Sequence, residues 1–163
     1  MRSGSAGQGH RVGQRGFGYL LVLFALAAMG LLLGSAGQVW HTAAQREKEA
    51  ELLFIGNQFR QAIGSYYASS PDAAKQYPLK LEDLLEDQRF PVPHRHLRQI
   101  YRDPITGSAQ WGLVKVGDRI AGIHSLSESQ ALKTAFVGPD STFSGATRYE
   151  QWVFRFEPGE AVR

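Results

Sequence analysis

The chain contains 163 residues and no cysteine, which excludes disulfide bridges, thiolate metal sites and catalytic thiols. Lys and Arg number 18 against 15 for Asp and Glu, and 43% of the residues are hydrophobic, enough for one small domain to bury a core. Three arginines within residues 1–16, a stretch without acids, supply the excess positive charge, so the basic pI does not indicate nucleic-acid binding.

Residues 1–16 form a basic leader, and residues 17–40 carry no charged side chain. At about 1.5 Å per residue, a helix over 17–40 spans roughly 36 Å, against about 30 Å for a hydrocarbon core. The preceding arginines predict a cytoplasmic N-terminus, a transmembrane helix over 17–40 and an outer part from 41 to 163. A cleaved secretory signal is the alternative, since Gly34-Ser35-Ala36 suits signal peptidase, but the apolar run exceeds an ordinary signal core of about 7–15 residues.

Beyond residue 40 the apolar pattern becomes amphipathic without a break. Solvated charges are predicted at 46–49 and 51, whereas apolar side chains recur every three or four residues, as in a helix with one buried face. These apolar positions are Leu52, Ile55, Phe59, Ile63 and Tyr66. Since no proline precedes Pro71, one helix is predicted from about Phe17 to about Ala68, ending at Ser69-Ser70-Pro71.

The chain after this helix predicts a connector. Residues 81–85 place their leucines on one side of a short helical turn. Residues 90–93, with two prolines, read as an extended linker. Asp103-Pro104-Ile105-Thr106-Gly107 is a turn signal, with proline at its second position and a closing glycine.

Antiparallel strands are predicted next. Residues 109–116 and 119–124 form a hairpin around Gly117-Asp118, a loop follows over 138–145, and the last strand, 149–156, points Trp152, Phe154 and Phe156 inward. Because the apolar face of the amphipathic helix needs a cover, we expect an α+β fold in which this small sheet packs on the long helix.

Metal binding and catalysis find little support in the sequence. His94, His96 and His124 suggest a metal site, but two nearby ligands are too few to close one, and the neighbouring prolines and arginines indicate an exposed linker. Glu128, Asp140 and Glu150 have no calcium-loop spacing and are interpreted as solvated surface acids.

Nucleic-acid binding and enzymatic motifs are equally weak. Arg95, Arg98 and Arg102 with Tyr101 could form a basic patch for DNA, but a solvated linker face or contacts to a neighbouring subunit are favoured. No nucleophile elbow, phosphate loop or dinucleotide fingerprint is present. Trp111, Trp152 and the phenylalanines at 154 and 156 are interpreted as core. We therefore expect no enzyme, no cofactor and no bound metal.

The order of these features resembles the type IV pilin-like family, and within it most closely the major pseudopilin of the type II secretion system. The leader ends Arg15-Gly16 and is followed at once by Phe17, and an apolar helix that becomes amphipathic precedes a small antiparallel sheet. Tyr77-Pro78 with Leu84-Leu85, the segment 102–107, and Gly122-Ile123-His124-Ser125-Leu126 are similar to segments of that subfamily. The resemblance extends over nearly the whole chain.

The resemblance implies a processing site, and one residue of the mature N-terminus differs from the usual sequence of the family. Prepilin peptidase would cut after Gly16, and Phe17 would become the methylated N-terminal residue. The family usually has glutamate at the fifth mature position, where it pairs with a neighbouring subunit's terminal ammonium; here that position is Leu21. The absence of glutamate at this position resembles the tip-type minor pseudopilins, or indicates a subunit that assembles differently.

The function implied is that of a pseudopilin-like structural subunit of a type II secretion or related type IV filament system. Its partners would be prepilin peptidase, other pseudopilin subunits and an inner-membrane assembly platform. It would cross the inner membrane once, with its C-terminal domain in the periplasm, and would not bind nucleic acid. The alternative is a membrane-anchored periplasmic accessory or binding domain that does not polymerise. A type IV pilus subunit proper is disfavoured by the missing C-terminal cysteine pair.

Overall fold

A computed structural model of the protein describes residues 15–71 and 74–159, without the side chains of 15–17 and 31–39. The predicted leader, residues 1–16, therefore lies outside the described residues except for the backbone of Arg15 and Gly16. The chain divides into two compact units, Met1–Thr42 and Ala43–Arg163. Helix α1, Arg15–Ala68, contributes residues to both units.

Helix α1 ends where the sequence predicts. The amide of Ser69 donates to the carbonyl of Ser65 at 3.0 Å, the amide of Ser70 donates to Tyr67 at 3.3 Å, and Pro71 follows. Proline has no amide hydrogen to extend the ladder and keeps the preceding residue out of helical geometry, so the helix stops here.

The second unit contains a three-stranded antiparallel sheet in the order β1-β2-β3. The strands are β1, Gly112–Val116, β2, Arg119–His124, and β3, Phe154–Arg155. The turn between β1 and β2 uses Gly117 at a φ of 66°, a left-handed conformation that glycine adopts without steric cost. The register of β1 against β2 shifts between Val114 and Lys115, which marks a bulge. The predicted hairpin is confirmed, although β1 begins three residues later than expected.

Three short 3-10 helices complete the unit, and two of them correct the sequence predictions. Leu81–Leu84 forms the predicted helical turn. Gly138–Phe143 is a 3-10 helix with proline in its first turn, where a loop was expected. Tyr149–Gln151 is also a 3-10 helix, so the predicted strand over 149–156 is wrong in its first half and reduces to Phe154–Arg155.

The core of the second unit lies between α1 and the sheet. The predicted helix stripe is buried throughout, and the apolar side chains of β2 and of the C-terminal segment cover it. Trp111, Trp152 and Phe154 are buried as predicted, and Phe156 packs at the edge of the core. This packing confirms the α+β class with a small antiparallel sheet.

Gly56 of α1 has a packing reason to be glycine. A Cβ atom at this position would overlap the ring of Phe154, a side chain that is itself fully buried. The ring and the helix therefore touch at a point where no side chain fits between them.

Candidate functional site

The residues that the resemblance identifies lie at the start of α1. Gly16 and Phe17 are in its first turn, and the side chain of Phe17 is among those not described. Leu21 exposes 59% of its surface. It is thus available for contact with lipid or with another chain.

The described part of the first unit has an apolar surface on all sides of the helix. Every side chain from 18 to 30 is exposed. The large apolar ones are Tyr19, Leu20, Leu21, Val22, Leu23, Phe24, Leu26 and Met29. A helix that is apolar around its whole circumference is ordinarily covered by lipid or by other protein. By length and mean hydropathy, no helix in the described part of the chain qualifies as a membrane span.

In the second unit, α1 buries one face and leaves the opposite face uncovered. Ala50 and Gln61 are exposed on that face, and Phe54 between them exposes 62% of its surface. A groove of about 450 Å³ lies beside Ala50, where Leu53 and Leu132 form its apolar lining and Arg46, Lys133 and Glu49 are its charged residues. Phe54 is the large apolar side chain that this helix face exposes.

Glu49 is a buried carboxylate that the sequence analysis placed in solvent. It is 3% exposed, and its Oε1 accepts hydrogen bonds from the amide of Leu132 at 2.6 Å and from the hydroxyl of Tyr149 at 3.1 Å. Gln45, one turn earlier, donates to the same hydroxyl at 2.8 Å. Burial, together with the neighbouring Glu49 carboxylate, raises the pKa of Tyr149. These contacts attach the segment between β2 and β3 to α1.

A second polar contact ties the 3-10 helix at Gly138–Phe143 to α1. Asp140, predicted to be a solvated surface acid, accepts from Nη1 of Arg60 at 2.9 Å and from the amide of Asn57 at 3.1 Å. Arg60 is 9% exposed, and its guanidinium carbon lies 5.7 Å from the ring centroid of Phe143. Nε of Arg60 is buried without a hydrogen-bond partner among the described residues. The prediction for Asp140 is therefore wrong, because a buried cation on α1 needs its charge.

The connector docks on the last turns of α1 through Asp87. This carboxylate is 1% exposed and accepts hydrogen bonds from the backbone amide, Nε and Nη2 of Arg89. Nη2 also donates to the carbonyl of Tyr66 at 2.8 Å. Burial alone would raise the pKa of Asp87, but the hydrogen bonds from Arg89 and His96 lower it to about 2. Asp87 is thus ionised and fully paired at neutral pH.

His96 completes this cluster, and its predicted position in an exposed linker is wrong. Its side chain is inaccessible to solvent, with Nε2 3.2 Å from Oδ2 of Asp87 and Nδ1 2.8 Å from the hydroxyl oxygen of Ser65. His94 is exposed, with its Nδ1 3.3 Å from Nε2 of His96. Among the residues that the structure describes, no group of three or more potential ligands could hold a metal ion.

Ser65, His96 and Asp87 form a serine–histidine–acid chain that the sequence analysis did not find, but the setting does not suit catalysis. The hydroxyl meets Nδ1 and the acid meets Nε2, the reverse of the serine-protease arrangement. Ser65 also lies in the last turns of α1, where the helix dipole is negative and disfavours an oxyanion. These hydrogen bonds between Ser65, His96 and Asp87 are best described as a structural contact between α1 and the connector.

The remaining candidate residues stay apart from these clusters. His124 contacts the carbonyl of Ser125 at 2.8 Å, and Glu150 pairs with Arg148 at 3.7 Å near the surface. Glu128 is exposed, as predicted. The proposed basic patch is loosely organised: Arg95 and Arg102 donate to backbone carbonyls and Arg98 is exposed. Tyr101 packs edge-on against Phe59 in the core, with ring centroids 6.3 Å apart.

Comparison with known proteins reveals no relative of this chain. No family model, no curated protein and no solved structure is significantly similar to it.

Proposed function

We propose that this chain is a pilin-like assembly subunit of a type II secretion or related type IV filament system. The N-terminal part of α1, residues 17–40, would anchor it in the inner membrane, and the α+β domain would lie in the periplasm. The observation that carries the proposal is the exposed, charge-free surface of α1 over residues 18–30. In this role the same apolar surface contacts lipid before assembly and other helices after it, so its composition suits both states.

The uncovered helix face of the second unit supports assembly through α1. Phe54 projects from the side of the helix that faces away from the sheet, and small Ala50 lies one turn before it. A large exposed aromatic next to a small residue is a suitable anchor for a second helix, because burying it removes apolar area from water. The partners in this proposal are prepilin peptidase, other subunits and an inner-membrane assembly platform. It includes no catalysis, cofactor or nucleic acid.

The processing step is tested by the mass of the mature N-terminus. Full-length protein is produced in cells with and without prepilin peptidase. The expected product begins at a methylated Phe17, and only in the presence of the peptidase. Gly16→Val should block the cut, whereas the matched change Gly18→Val, on the other side of Phe17, serves as control. An uncut chain in the presence of active peptidase would contradict processing.

Assembly through α1 is tested by crosslinking, for which a cysteine-free chain is well suited. The double variant Glu47→Cys/Gln61→Cys places two thiols on the uncovered helix face, keeps Phe54 and is oxidised in membranes. We expect ladders of crosslinked species. A control pair at Lys115 and Asp118, exposed positions near the β1–β2 turn, should give few. If the variant with both cysteines on the helix face stays monomeric while the peptidase still cuts the leader, the proposed processing is supported and the proposed polymerisation is contradicted.

The second candidate is a membrane-anchored periplasmic domain that never polymerises. Leu21, where the resembled family has an acid, favours it, because a filament built on the usual ammonium–carboxylate pair lacks that pair here. The substitution Leu21→Glu distinguishes the polymerising subunit from the anchored domain. If assembly depends on the acid, the variant gains crosslinked ladders; if it yields no more than the parent chain, packing does not depend on that pair.

A further inference from the structure

We propose that His96 makes the docking of the connector on α1 acid-sensitive, so that uptake of a proton at His96 releases residues 86–96 from the helix end. Leu84 and Leu97, on either side of this segment, are buried in the core, and the segment between them meets the helix through a small number of polar contacts. Arg89 donates to Ser70 at 2.9 Å and to the carbonyl of Tyr66, and His96 contacts Ser65. The connector itself is held by the amides of His96 and Leu97, which both donate to the carbonyl of Leu84.

The hydrogen positions in this cluster follow from what each group can donate. An ionised Asp87 can only accept, so Nε2 of His96 carries the hydrogen and donates it to Oδ2. Nδ1 of His96 is then an acceptor, and the hydroxyl of Ser65 donates to it. The neutral imidazole is therefore fully satisfied, with one hydrogen bond to each segment.

A proton on His96 breaks this arrangement. Both ring nitrogens would become donors. The hydrogen of the Ser65 hydroxyl would then have to turn away from the ring, and its oxygen would become the acceptor. The new positive charge would be inaccessible to solvent, beside a carboxylate that Arg89 already neutralises. The His94 ring packs against this site, with its centroid 4.5 Å from that of His96.

The charges around the cluster do not compensate for the added proton. Asp87 and Arg89 balance each other, and Asp83 and Arg119, which act on the neighbouring Tyr66, are also of opposite sign. Tyr66 itself, packed on the His96 ring at 5.5 Å, is neutral. Burial lowers the pKa of His96 despite the opposing hydrogen bond to Asp87. The docked connector therefore favours the neutral His96 ring, and low pH favours the released connector.

The size of the effect follows from proton linkage. If His96 binds a proton only when the connector is released, with an ordinary pKa near 6.5, lowering the pH from 7.5 to 5.5 increases release about tenfold. The amides of His96 and Leu97 donate to Leu84 and so close this segment of the connector, and their hydrogen exchange reports its opening in the full chain in detergent. Results are expressed as protection factors, which remove the intrinsic pH dependence of exchange.

We expect protection at these two amides to fall about tenfold between pH 7.5 and 5.5 in the parent chain. His96→Gln, whose amide can donate to Asp87 and accept from Ser65, should keep equal protection at both pH values. His41→Gln, an exposed histidine of the first unit, should behave like the parent. A change smaller than about twofold in the parent, or a tenfold loss that persists in His96→Gln, would overturn the proposal.

A measurement on the parent chain covers the case in which His96→Gln does not fold. Titration of the His96 ring by NMR should show it remaining neutral below the ordinary histidine pKa of about 6.5. A His96 ring that titrates in the folded chain at or above about 6.5 also overturns the proposal.

Discussion

The hydroxyl of Tyr149 donates a hydrogen bond of 3.1 Å to Oε1 of Glu49, across 100 residues of sequence. The same oxygen accepts from the amide of Leu132 at 2.6 Å. One carboxylate on α1 thus fixes both ends of a segment that contains little regular structure. Since the chain has no disulfide, contacts of this kind hold the segment in place.

Glu49→Ala should lower the free energy of unfolding by about 2 kcal/mol, because it leaves the amide of Leu132 and the buried hydroxyl of Tyr149 without their acceptor. Glu49→Gln, which keeps a carbonyl oxygen, should cost about 1 kcal/mol. Urea unfolding followed by tryptophan fluorescence measures both. Glu51→Ala, an exposed acid two residues on, is the control and should change stability by less than about 0.5 kcal/mol. Equal effects at positions 49 and 51 would contradict the role given to Glu49.

Asp140→Ala should cost about 3 kcal/mol, since it leaves the buried guanidinium of Arg60 without its carboxylate. The matched control is Glu157→Ala, which removes the partner of Arg155 from an exposed ion pair. Pairs of that kind contribute little, so the control should stay within about 0.5 kcal/mol of the parent. A double-mutant cycle with Arg60→Met gives the coupling energy; a value near zero would show that the two residues do not stabilise each other.

Gly56→Ala should destabilise the second unit by about 1–3 kcal/mol, because its new methyl group overlaps the buried Phe154 ring. Alanine ordinarily stabilises a helix relative to glycine, so the predicted sign is opposite to the intrinsic propensity. Gly30→Ala, also in α1 but with no atom within 4 Å of the added Cβ, should leave the unfolding midpoint of this unit unchanged. A stabilised Gly56→Ala variant would show that the helix and Phe154 can separate freely.

Asp87 should make stability fall at low pH within a defined window. Its pKa is about 2 when folded and about 3.8 when unfolded, so the unfolded state binds the proton first as pH decreases. The stabilisation is therefore complete above about pH 4 and is lost between about 3.8 and 2, amounting to about 2 kcal/mol. Urea unfolding at pH 5 and 2.5 should show this loss in the parent chain and a smaller one in Asp87→Asn. The exposed control Glu82→Gln should follow the parent.

The sequence predicts the buried apolar stripe of α1 because the pattern that defines it lies within one short stretch of the chain. Leu52, Phe59 and Ile63 recur with the helical period, and any cover supplied by the rest of the chain must meet that face. The turns at Asp103 and Gly117 are likewise set by neighbouring residues. Residues whose environment depends on partners close in sequence were placed correctly.

Buried polar residues were misplaced because their partners are distant in sequence. Glu49 looks like one charge among several exposed ones, and only Leu132 and Tyr149 make it internal. Asp140 needs Arg60, 80 residues earlier, and His96 needs Asp87 and Ser65. The strand prediction at 149–156 failed for a related reason: alternation of aromatic residues marks burial, but Tyr149 meets the core from a 3-10 turn.

The edge strand β1 affects how copies of this chain can meet. β1 is an edge of the sheet, and a long flat edge would accept a strand from a neighbour. Here β1 is only five residues long and carries exposed Lys115, and the extra residue of the bulge, Ala121, lies in the neighbouring strand β2. A short edge with an exposed lysine discourages strand addition from a neighbouring molecule.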